Sequence, residues 1–282
     1  MPLSALALVL GAAVVHATWN LLAKESRGGV AFAWAATLVG TLAIAPFGIA
    51  VAIAERPHFG AQGIAWVAVS GALQTVYFVL VQRAYRAGDL SLVYPLARGT
   101  APVVAMLGGV LLFAERPSAL AVAGGLTICA GVLSLAGRPR PEDRVAVGYA
   151  LATAAMIATY TLWDKHAVDA LDLPPVVYFL GAYFVMLVLL TGPTLRRRAD
   201  LRRAWTGSRR AVLGVGVLGP LSYLLVLIAL STTAVSYVAP AREISIVVGT
   251  ILGARVLKEG DRRRRLVASA VIVAGVVTLA AG

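Results

Sequence analysis

Apolar segments of about 20 residues recur along the chain, separated by short stretches that contain charged residues, glycine or proline. Within a segment apolar residues occupy every face of a helix, which is typical of a span in lipid and not of a surface helix. About 20 such residues cross a hydrocarbon core of about 30 Å. The pattern predicts ten spans, at residues 3–22, 30–54, 63–81, 91–113, 119–136, 145–163, 174–190, 211–230, 234–257 and 266–281.

The fourth span has a second copy 144 residues later, where Arg98 matches Arg242. Self-similarity at one offset indicates a repeated structural unit. The sequence therefore predicts two five-helix repeats, residues 1–137 and 145–282, joined by a linker at 138–144. Because five is an odd number of spans, the second repeat is expected to enter the membrane inverted, an arrangement typical of transporters. The other matches are Trp19 with Trp163, Asn20 with Asp164, Gly109 with Gly253, Glu115 with Glu259 and Gly131 with Gly275.

Composition agrees with an all-α integral membrane protein, since 60% of the residues are hydrophobic and only 13% are charged. The net charge of +12 would by itself suggest nucleic acid as a partner. However, 20 of the 25 lysines and arginines lie in connections one, three, five, seven and nine. The positive-inside rule places these connections in the cytoplasm and both termini outside. We therefore expect a multi-pass protein of the inner (plasma) membrane. Its partner is expected to be the lipid bilayer, and we expect no binding of nucleic acid.

Two arginines lie inside spans, where a charge is costly. Arg98 is about seven residues into its span and Arg242 about eight, so each is roughly 10–12 Å from the membrane surface. An arginine near the bilayer centre costs at least roughly 2.5 kcal/mol, and it is expected to face the bundle interior, a cavity or a partner. We interpret the pair as a substrate site for an anion or carboxylate across the repeat interface. Pro95, Pro102 and Pro240 remove backbone hydrogen bonds beside it and predict broken or kinked helices, with an ordinary proline kink as the alternative.

Glu243 is the acid well inside a span, and it has two interpretations. It could form a structural salt bridge, with Arg98 favoured over Arg242 because adjacent residues on a helix point about 100° apart. Alternatively, it could take up a proton when substrate arrives and couple transport to a proton gradient. The two roles are compatible if the bridge opens during transport. His16 and Asp164 are further candidates for proton coupling, although a single histidine is more often structural.

Several polar and aromatic residues are candidates for lining the substrate site. His16, Trp19 and Asn20 share one helical face because they are three to four residues apart. Packing or an interfacial aromatic belt is the alternative for each aromatic residue. The remaining candidates for substrate binding are Gln74, Tyr77, Tyr94, Trp163, Tyr223 and Tyr237.

Small residues at Ala105 and Gly109, repeated at Gly249 and Gly253, form a face suited to close helix contact. That contact is expected either inside the bundle or between two copies in a homodimer. The sequence contains no GxSxG, HExxH or Walker motif and no Cys/His metal spacing. We therefore predict no enzyme activity, no cofactor and no metal site.

The chain resembles the EamA-type group of the drug/metabolite transporter superfamily. The resemblance rests on HATWNLLAK at residues 16–24 and on LLFAERPS at 111–118, and it covers nearly the whole chain. The second copy, ARVLKEGDR at 254–262, departs from that loop pattern in charge. Family membership implies secondary transport of a small-molecule substrate by alternating access, commonly export, with proton coupling expected.

The arginine pair favours small polar metabolites that carry a carboxylate, such as amino acids. Three alternatives stay open. They are a multidrug or cation exporter, a flippase for lipid-linked intermediates, and a membrane scaffold or sensor that does not transport. A scaffold is expected to leave both arginines paired.

Overall fold

The computed structural model describes residues 1–24, 29–58, 60–136, 139–170, 173–196, 198–249 and 262–282. Throughout these ranges the chain is helical and has no β-strand. The helices are α1 (Leu3–Lys24), α2 (Val30–Glu55), α3 (Ala61–Ala87), α4 (Leu90–Phe113), α5 (Ala119–Leu133), α6 (Arg144–Ala170), α7 (Pro175–Leu195), α8 (Arg198–Thr232), α9 (Val235–Ala241), α10 (244–249) and α11 (Arg262–Ala281). A 3₁₀ turn, Pro141–Asp143, precedes α6.

Eight of these helices are long and apolar enough to cross a membrane, namely α1–α4, α6–α8 and α11. Large apolar side chains on their outer faces are exposed, such as Phe47 at 69%. Such faces are stable against lipid. The predicted all-α, multi-pass architecture is therefore confirmed. The fifth span is shorter than predicted, because α5 has 15 residues and ends at Leu133.

The ninth span is described only in part. Helix α9 has seven residues and α10 follows after a turn, but residues 250–261 lie outside the described ranges. The count of ten spans therefore stays a prediction. Gly253 and Glu259, which the repeat matches to Gly109 and Glu115, also lie outside the described residues.

Equivalent helices of the two repeats run antiparallel where they meet. In the α2–α7 pair, the Trp34 indole donates to the Thr191 hydroxyl at 2.8 Å near one end. Near the other end, a Cβ on Gly48 would lie 2.7 Å from Leu180. Residue numbers thus rise along α2 as they fall along α7, so the two repeats are inverted relative to each other at this pair.

Helices α5 and α11 repeat this relation at closer range. A Cβ on Gly124 would clash with the backbone nitrogen of Leu279, and one on Gly131 would meet Ile272 at 2.9 Å. Only glycine permits backbones to approach this closely. The pair runs antiparallel and extends the inversion to the fifth helix of each repeat.

The bundle has two distinct ends. At the first, which we call the Glu115 end, α4 ends, α9 begins and the Tyr237 hydroxyl donates to the Gly282 carbonyl at 3.4 Å. At the opposite, arginine-rich end, α8 and α11 begin. There the Arg264 guanidinium donates to the carbonyls of Ser134 at 2.7 Å and Ala136 at 2.5 Å. These bonds tie α11 to the end of α5.

The main core lies between the repeats. Helix α1 packs along α8, α3 packs along α6, and α4 crosses α9. The largest buried apolar cluster combines residues of both repeats, among them Val9, Ile128, Leu230, Val235 and Ile272. This packing places the charged segments of α4 and α9–α10 against each other in the interior of the bundle.

Candidate functional site

Arg98 and Glu243 form a buried ion pair across the repeats. The Arg98 Nε donates to Glu243 Oε2 at 3.0 Å, and Arg98 Nη2 lies 3.0 Å from Oε1. Arg98 is 7% exposed and Glu243 3%. A guanidinium that meets both oxygens of a carboxylate has a strong, directional contact. The pair therefore joins the middle of α4 to the junction between α9 and α10.

The junction itself is a break in the helix. Glu243, Ser245 and Ile246 donate their N–H groups to carbonyls three residues back, whereas α-helix bonds reach four. Pro240 has no N–H to donate, which favours the break. In the first copy, α4 continues as a helix through Arg98 even though it contains Pro95 and Pro102. A tight segment inside a helix often marks a hinge, and here it carries the charges.

Arg242 has a different environment from Arg98. It is half-buried, and among the described residues it has no carboxylate partner within ion-pair distance. Its guanidinium carbon lies 5.5 Å from the centre of the Tyr223 ring. A cation over an aromatic face gains roughly 0.5–2 kcal/mol, which does not neutralise its charge. Arg242 is therefore a charged group that can still accept an anion.

Two small cavities meet at Arg242. The first is lined by α1, α4, α8 and α9 residues that include His16, Arg98 and Ser222. The second is lined by residues of α4, α6 and α9 and includes Thr161 and Glu243. Each holds about 10 Å³, on the order of one water molecule. Because a small-molecule site needs roughly 300 Å³ or more, these two cavities do not admit a substrate in this conformation.

Thr161 adds an unpaired polar atom to the second cavity. Its hydroxyl is buried and has no hydrogen-bond partner among the described residues. Thr153 and Thr159 on the same helix instead donate to carbonyls four residues back. A buried hydroxyl without a partner is costly, so the Thr161 hydroxyl is a polar group available to water or ligand.

Asp164 is enclosed by three hydroxyl groups. Its Oδ1 accepts from Ser70 at 2.6 Å and Tyr178 at 2.8 Å, and its Oδ2 accepts from Tyr223 at 2.7 Å. Asp164 is fully buried. Tyr223 therefore connects Asp164 to Arg242, because its hydroxyl bonds the carboxylate and its ring underlies the guanidinium.

The matching residues of the first copy form a looser group. His16 and Trp19 contact edge to face, with ring centres 4.8 Å apart. The Asn20 amide donates to the backbone carbonyl of His16 at 3.0 Å. The Ser222 hydroxyl lies 3.5 Å from His16 Nδ1 and also donates to the Ala12 carbonyl. Of the three predicted residues, His16 lines the first cavity with both arginines.

The other predicted site residues divide into two groups. Gln74 donates to Ser70 at 3.3 Å, Tyr77 contacts the Tyr160 ring at 5.5 Å, and Tyr94 packs on the central cluster. These three lie around the charged centre.

Trp163 and Tyr237 lie elsewhere. The Trp163 indole donates to the Trp66 carbonyl at 3.0 Å and stacks on the Trp66 ring. Tyr237 contacts Ser118 and the chain end. The expectation that these two line the same site as the arginines is not met, because both contact residues at the Glu115 end.

Glu115 caps α9 from the other repeat, which the sequence alone does not reveal. Its carboxylate accepts from the N–H groups of Val235 at 2.7 Å and Ser236 at 2.9 Å. The N-cap residue Ala234 has no side-chain acceptor of its own. A carboxylate at a helix N-terminus is also favoured by the helix dipole. Glu115 therefore ties the first repeat to the helix that ends at Arg242.

Gly109 makes this contact sterically possible. A Cβ there would lie 2.5 Å from Glu115 Oε2 and 2.6 Å from Val235. The small-residue face predicted around Gly109 is thus occupied inside the bundle. This face therefore does not support the predicted homodimer, which stays a prediction.

Comparison with known proteins identifies the family. The EamA-like transporter family matches the chain twice, at residues 3–137 and 144–281. A crystal structure of a protein 20% identical to this chain superposes with a TM-score of 0.75, covering 99% of this chain and 96% of the other. At that identity the likeness shows the fold alone. A search of curated proteins finds no match. The family match spans nearly all of the chain, which therefore belongs to the EamA-like transporter family of membrane transporters in the drug/metabolite transporter superfamily.

Proposed function

We propose that the chain is a secondary active transporter that exports small polar metabolites bearing a carboxylate, with amino acids as the favoured class. The observation that carries the proposal is the unequal state of the two arginines. Arg98 is neutralised by Glu243, whereas Arg242 lines both cavities without a carboxylate partner among the described residues. A half-buried cation without a counterion among the described residues favours an anionic ligand.

The geometry supports a mechanism in which the substrate competes for the ion pair. A substrate carboxylate that binds Arg242 enters beside Arg98, which lines the same cavity. Two carboxylates then compete for the two guanidinium groups, and the Arg98–Glu243 contact is weakened. The break between α9 and α10 lets the two segments move separately once this contact opens. Alternating access follows if each open state exposes the arginines to one side of the membrane.

Proton coupling through Glu243 is the second part of the proposal. When Arg98 turns to the substrate, Glu243 would be left as a buried carboxylate without a partner, which is costly. Uptake of a proton removes that cost, and its positive charge offsets the negative charge of the substrate carboxylate. We expect Glu243→Gln to abolish the dependence of transport on a pH gradient in proteoliposomes. A pH dependence equal to that of the unaltered protein would exclude Glu243 from coupling.

The half-buried, unpaired Arg242 also weighs against two alternatives. A cation exporter would place a positive substrate beside an uncompensated guanidinium, which costs energy in a low-dielectric site. A scaffold that does not transport is expected to neutralise both arginines. For these reasons we keep the carboxylate transporter as the conclusion.

A ligand-stability screen of the purified protein tests the site. We expect carboxylate metabolites to raise the melting temperature, and Arg242→Ala to remove the effect. Arg98→Ala is expected to lower the melting temperature without ligand because it leaves Glu243 unpaired. Arg86→Ala, at an exposed position near the end of α3, serves as a control for loss of one arginine. Stabilisation by carboxylates that survives both Arg98→Ala and Arg242→Ala would contradict the proposed site.

A further inference from the structure

The first part of α8 is distinct from the membrane span that follows it. The backbone at Ser208 leaves helical geometry, with φ −142° and ψ 30°, so that residues before it form a separate segment. We call residues 199–207 the α8 arm. Two arginines and one tryptophan of the arm are exposed, namely Arg202, Arg203 and Trp205.

The α8 arm lies across the end of the bundle and does not continue the span outward. Leu201 and Ala204 of the arm pack against the same small cluster as Ala211, which lies beyond the break. In a straight helix Leu201 would be roughly 15 Å from Ala211. The cluster also contains Phe32, from the first turn of α2. The arm is therefore held at the level where the membrane spans α2 and α8 begin.

The outer side of the arm and the residues just after it carry unpaired positive charge. Arg202, Arg209 and Arg210 are exposed and have no acidic partner among the described residues. Arg203 is different, because it bonds Asp200 at 2.7 Å. Three arginines thus present uncompensated charge over less than three helical turns.

Trp205 supplies an amphipathic anchor within this charged surface. Its side chain is 41% exposed, and the Arg209 guanidinium carbon lies 5.5 Å from its ring centre. Tryptophan side chains are enriched at the boundary between headgroups and acyl chains. An exposed tryptophan beside arginines at the start of membrane spans fits a lipid surface better than a soluble partner.

We propose that the α8 arm, with Arg209 and Arg210, binds the phosphate groups of anionic lipids in the adjacent leaflet. Arg202, Arg209 and Arg210 provide the charge, and Trp205 inserts at the boundary between headgroups and acyl chains. Each lysine or arginine near an anionic membrane surface adds to the attraction, so the three arginines together form a strong site. The inference is independent of the transported substrate, because the surface lies at the end of the bundle and not in its centre.

The test uses the full-length protein in mixed micelles of neutral phosphatidylcholine with increasing phosphatidylglycerol. We expect the melting temperature to rise with phosphatidylglycerol. In R202Q/R209Q/R210Q the concentration for half-maximal stabilisation should rise by at least about tenfold. The control R83Q/R86Q/R263Q removes three exposed arginines from the same end of the bundle and should respond like the unaltered protein.

Three outcomes would overturn the proposal. Equal loss in the control would show a general charge effect, and an unchanged response of the triple variant would place the lipid elsewhere. Equal stabilisation by inorganic phosphate at the same concentration would indicate a site for free anions. If the triple variant does not fold, native mass spectrometry of R202Q against the unaltered protein counts the retained phosphatidylglycerol. Fewer retained lipids are expected, and an equal number would contradict the proposal.

Discussion

Four buried or half-buried charged side chains define the centre of the molecule, and they are stabilised in three different ways. Arg98 and Glu243 neutralise each other, and Asp164 is satisfied by hydroxyl groups. Among the described residues Arg242 has no carboxylate partner, and its guanidinium lies over the Tyr223 ring. Such charges are expensive in a membrane interior and are retained where they serve a function. The residue with the least compensation is therefore the best candidate for the substrate contact.

The buried ion pair predicts strong energetic coupling between its two members. Arg98→Gln and Glu243→Gln each leave a buried group without its partner and should destabilise the protein by about 3–5 kcal/mol. The double variant should lose much less than the sum, because neither charge is then left alone. Melting temperatures and urea unfolding of the four proteins give the coupling free energy.

The matched control for this cycle is the pair Lys165 and Asp169. Their contact is also short, at 2.7 Å, but Asp169 is 44% exposed. Lys165 is buried and also donates to the Leu230 carbonyl, so this pair is exposed at Asp169 alone, and we expect its coupling to be weaker than that of Arg98 and Glu243. Additive losses for Arg98 and Glu243 would mean that the pair is not formed in the folded protein.

Tyr223 has two separable roles, which leads to a second prediction. Tyr223→Phe keeps the ring beneath Arg242 but removes the bond to Asp164, and it should lower stability by roughly 1.5–3 kcal/mol. Tyr223→Leu removes both contacts. We expect carboxylate binding, measured by ligand-dependent melting temperature, to be retained in the phenylalanine variant and weakened in the leucine variant. Equal binding by both variants would exclude the ring from positioning Arg242.

At the level of helices, the two copies of the charged segment differ in backbone structure although their sequences correspond. Helix α4 runs through Arg98, whereas α9 stops at Ala241 and Arg242 lies in a turn. The prolines predict a broken or kinked helix in both copies, and a break is seen after α9, whereas α4 is continuous. Proline removes a backbone hydrogen bond and either kinks or breaks a helix, so the residue type alone does not distinguish the two outcomes.

The sequence was most informative where a pattern is local or repeated. Apolar periodicity gave the helices, and the 144-residue offset gave the two repeats and the arginine pair. Contacts from distant helices were not accessible in this way. Ser70 and Tyr178 are ordinary residues in their spans and become partners of Asp164 only through packing. Glu115 sits in a loop, and its role depends on a helix 120 residues later.

The Glu115 cap gives a prediction about how α9 is held. Gly109→Ala places a methyl group 2.5 Å from the Glu115 carboxylate and should destabilise the protein by about 1–3 kcal/mol through overpacking. Gly148→Ala is the matched control, since a Cβ there meets no atom within 4 Å. The control should be neutral or more stable by about 0.5–1 kcal/mol, because alanine favours helix. Melting temperatures of both variants measure the difference.

A companion variant separates the cap from general crowding. Glu115→Gln keeps the size of the side chain and removes its charge, so it should weaken the two bonds to α9 without a clash. We expect Glu115→Gln to lower the melting temperature. The effect of Gly148→Ala on the melting temperature should be the same with and without Glu115→Gln. A neutral effect of both Gly109→Ala and Glu115→Gln would show that α9 does not depend on this contact.

For the whole molecule, the inverted pairing of α2 with α7 and α5 with α11 gives the two ends of the bundle related helix arrangements, although their contacts differ. Bonds between the repeats occur at both ends, through Glu115 at one and Arg264 at the other. Alternating access requires these sets to open in turn. The direction of the molecule in the membrane then decides which set faces the cytoplasm, and the distribution of arginine is the feature that predicts this direction.

The last prediction concerns this direction. Twenty of the 25 lysines and arginines lie in the odd-numbered connections of the sequence, and those that the structure describes, such as Arg86 and Arg263, lie at the arginine-rich end, so this end is expected in the cytoplasm. Cys129 is the one cysteine and is buried, which permits single-cysteine labelling in a Cys129→Ala background. Glu55→Cys, exposed at the Glu115 end, should react with a membrane-impermeant maleimide in intact cells. Arg86→Cys should react only after permeabilisation.

Each alternative labelling result has a specific physical meaning. Reaction of Arg86→Cys alone in intact cells would place the positive charges outside and contradict the predicted orientation. Reaction at both positions would mean that the chain inserts in both directions. Inverted repeats make that outcome structurally acceptable, because the bundle presents the same helix arrangement either way. In that case the distribution of positive charge would not be sufficient to determine the orientation of the chain.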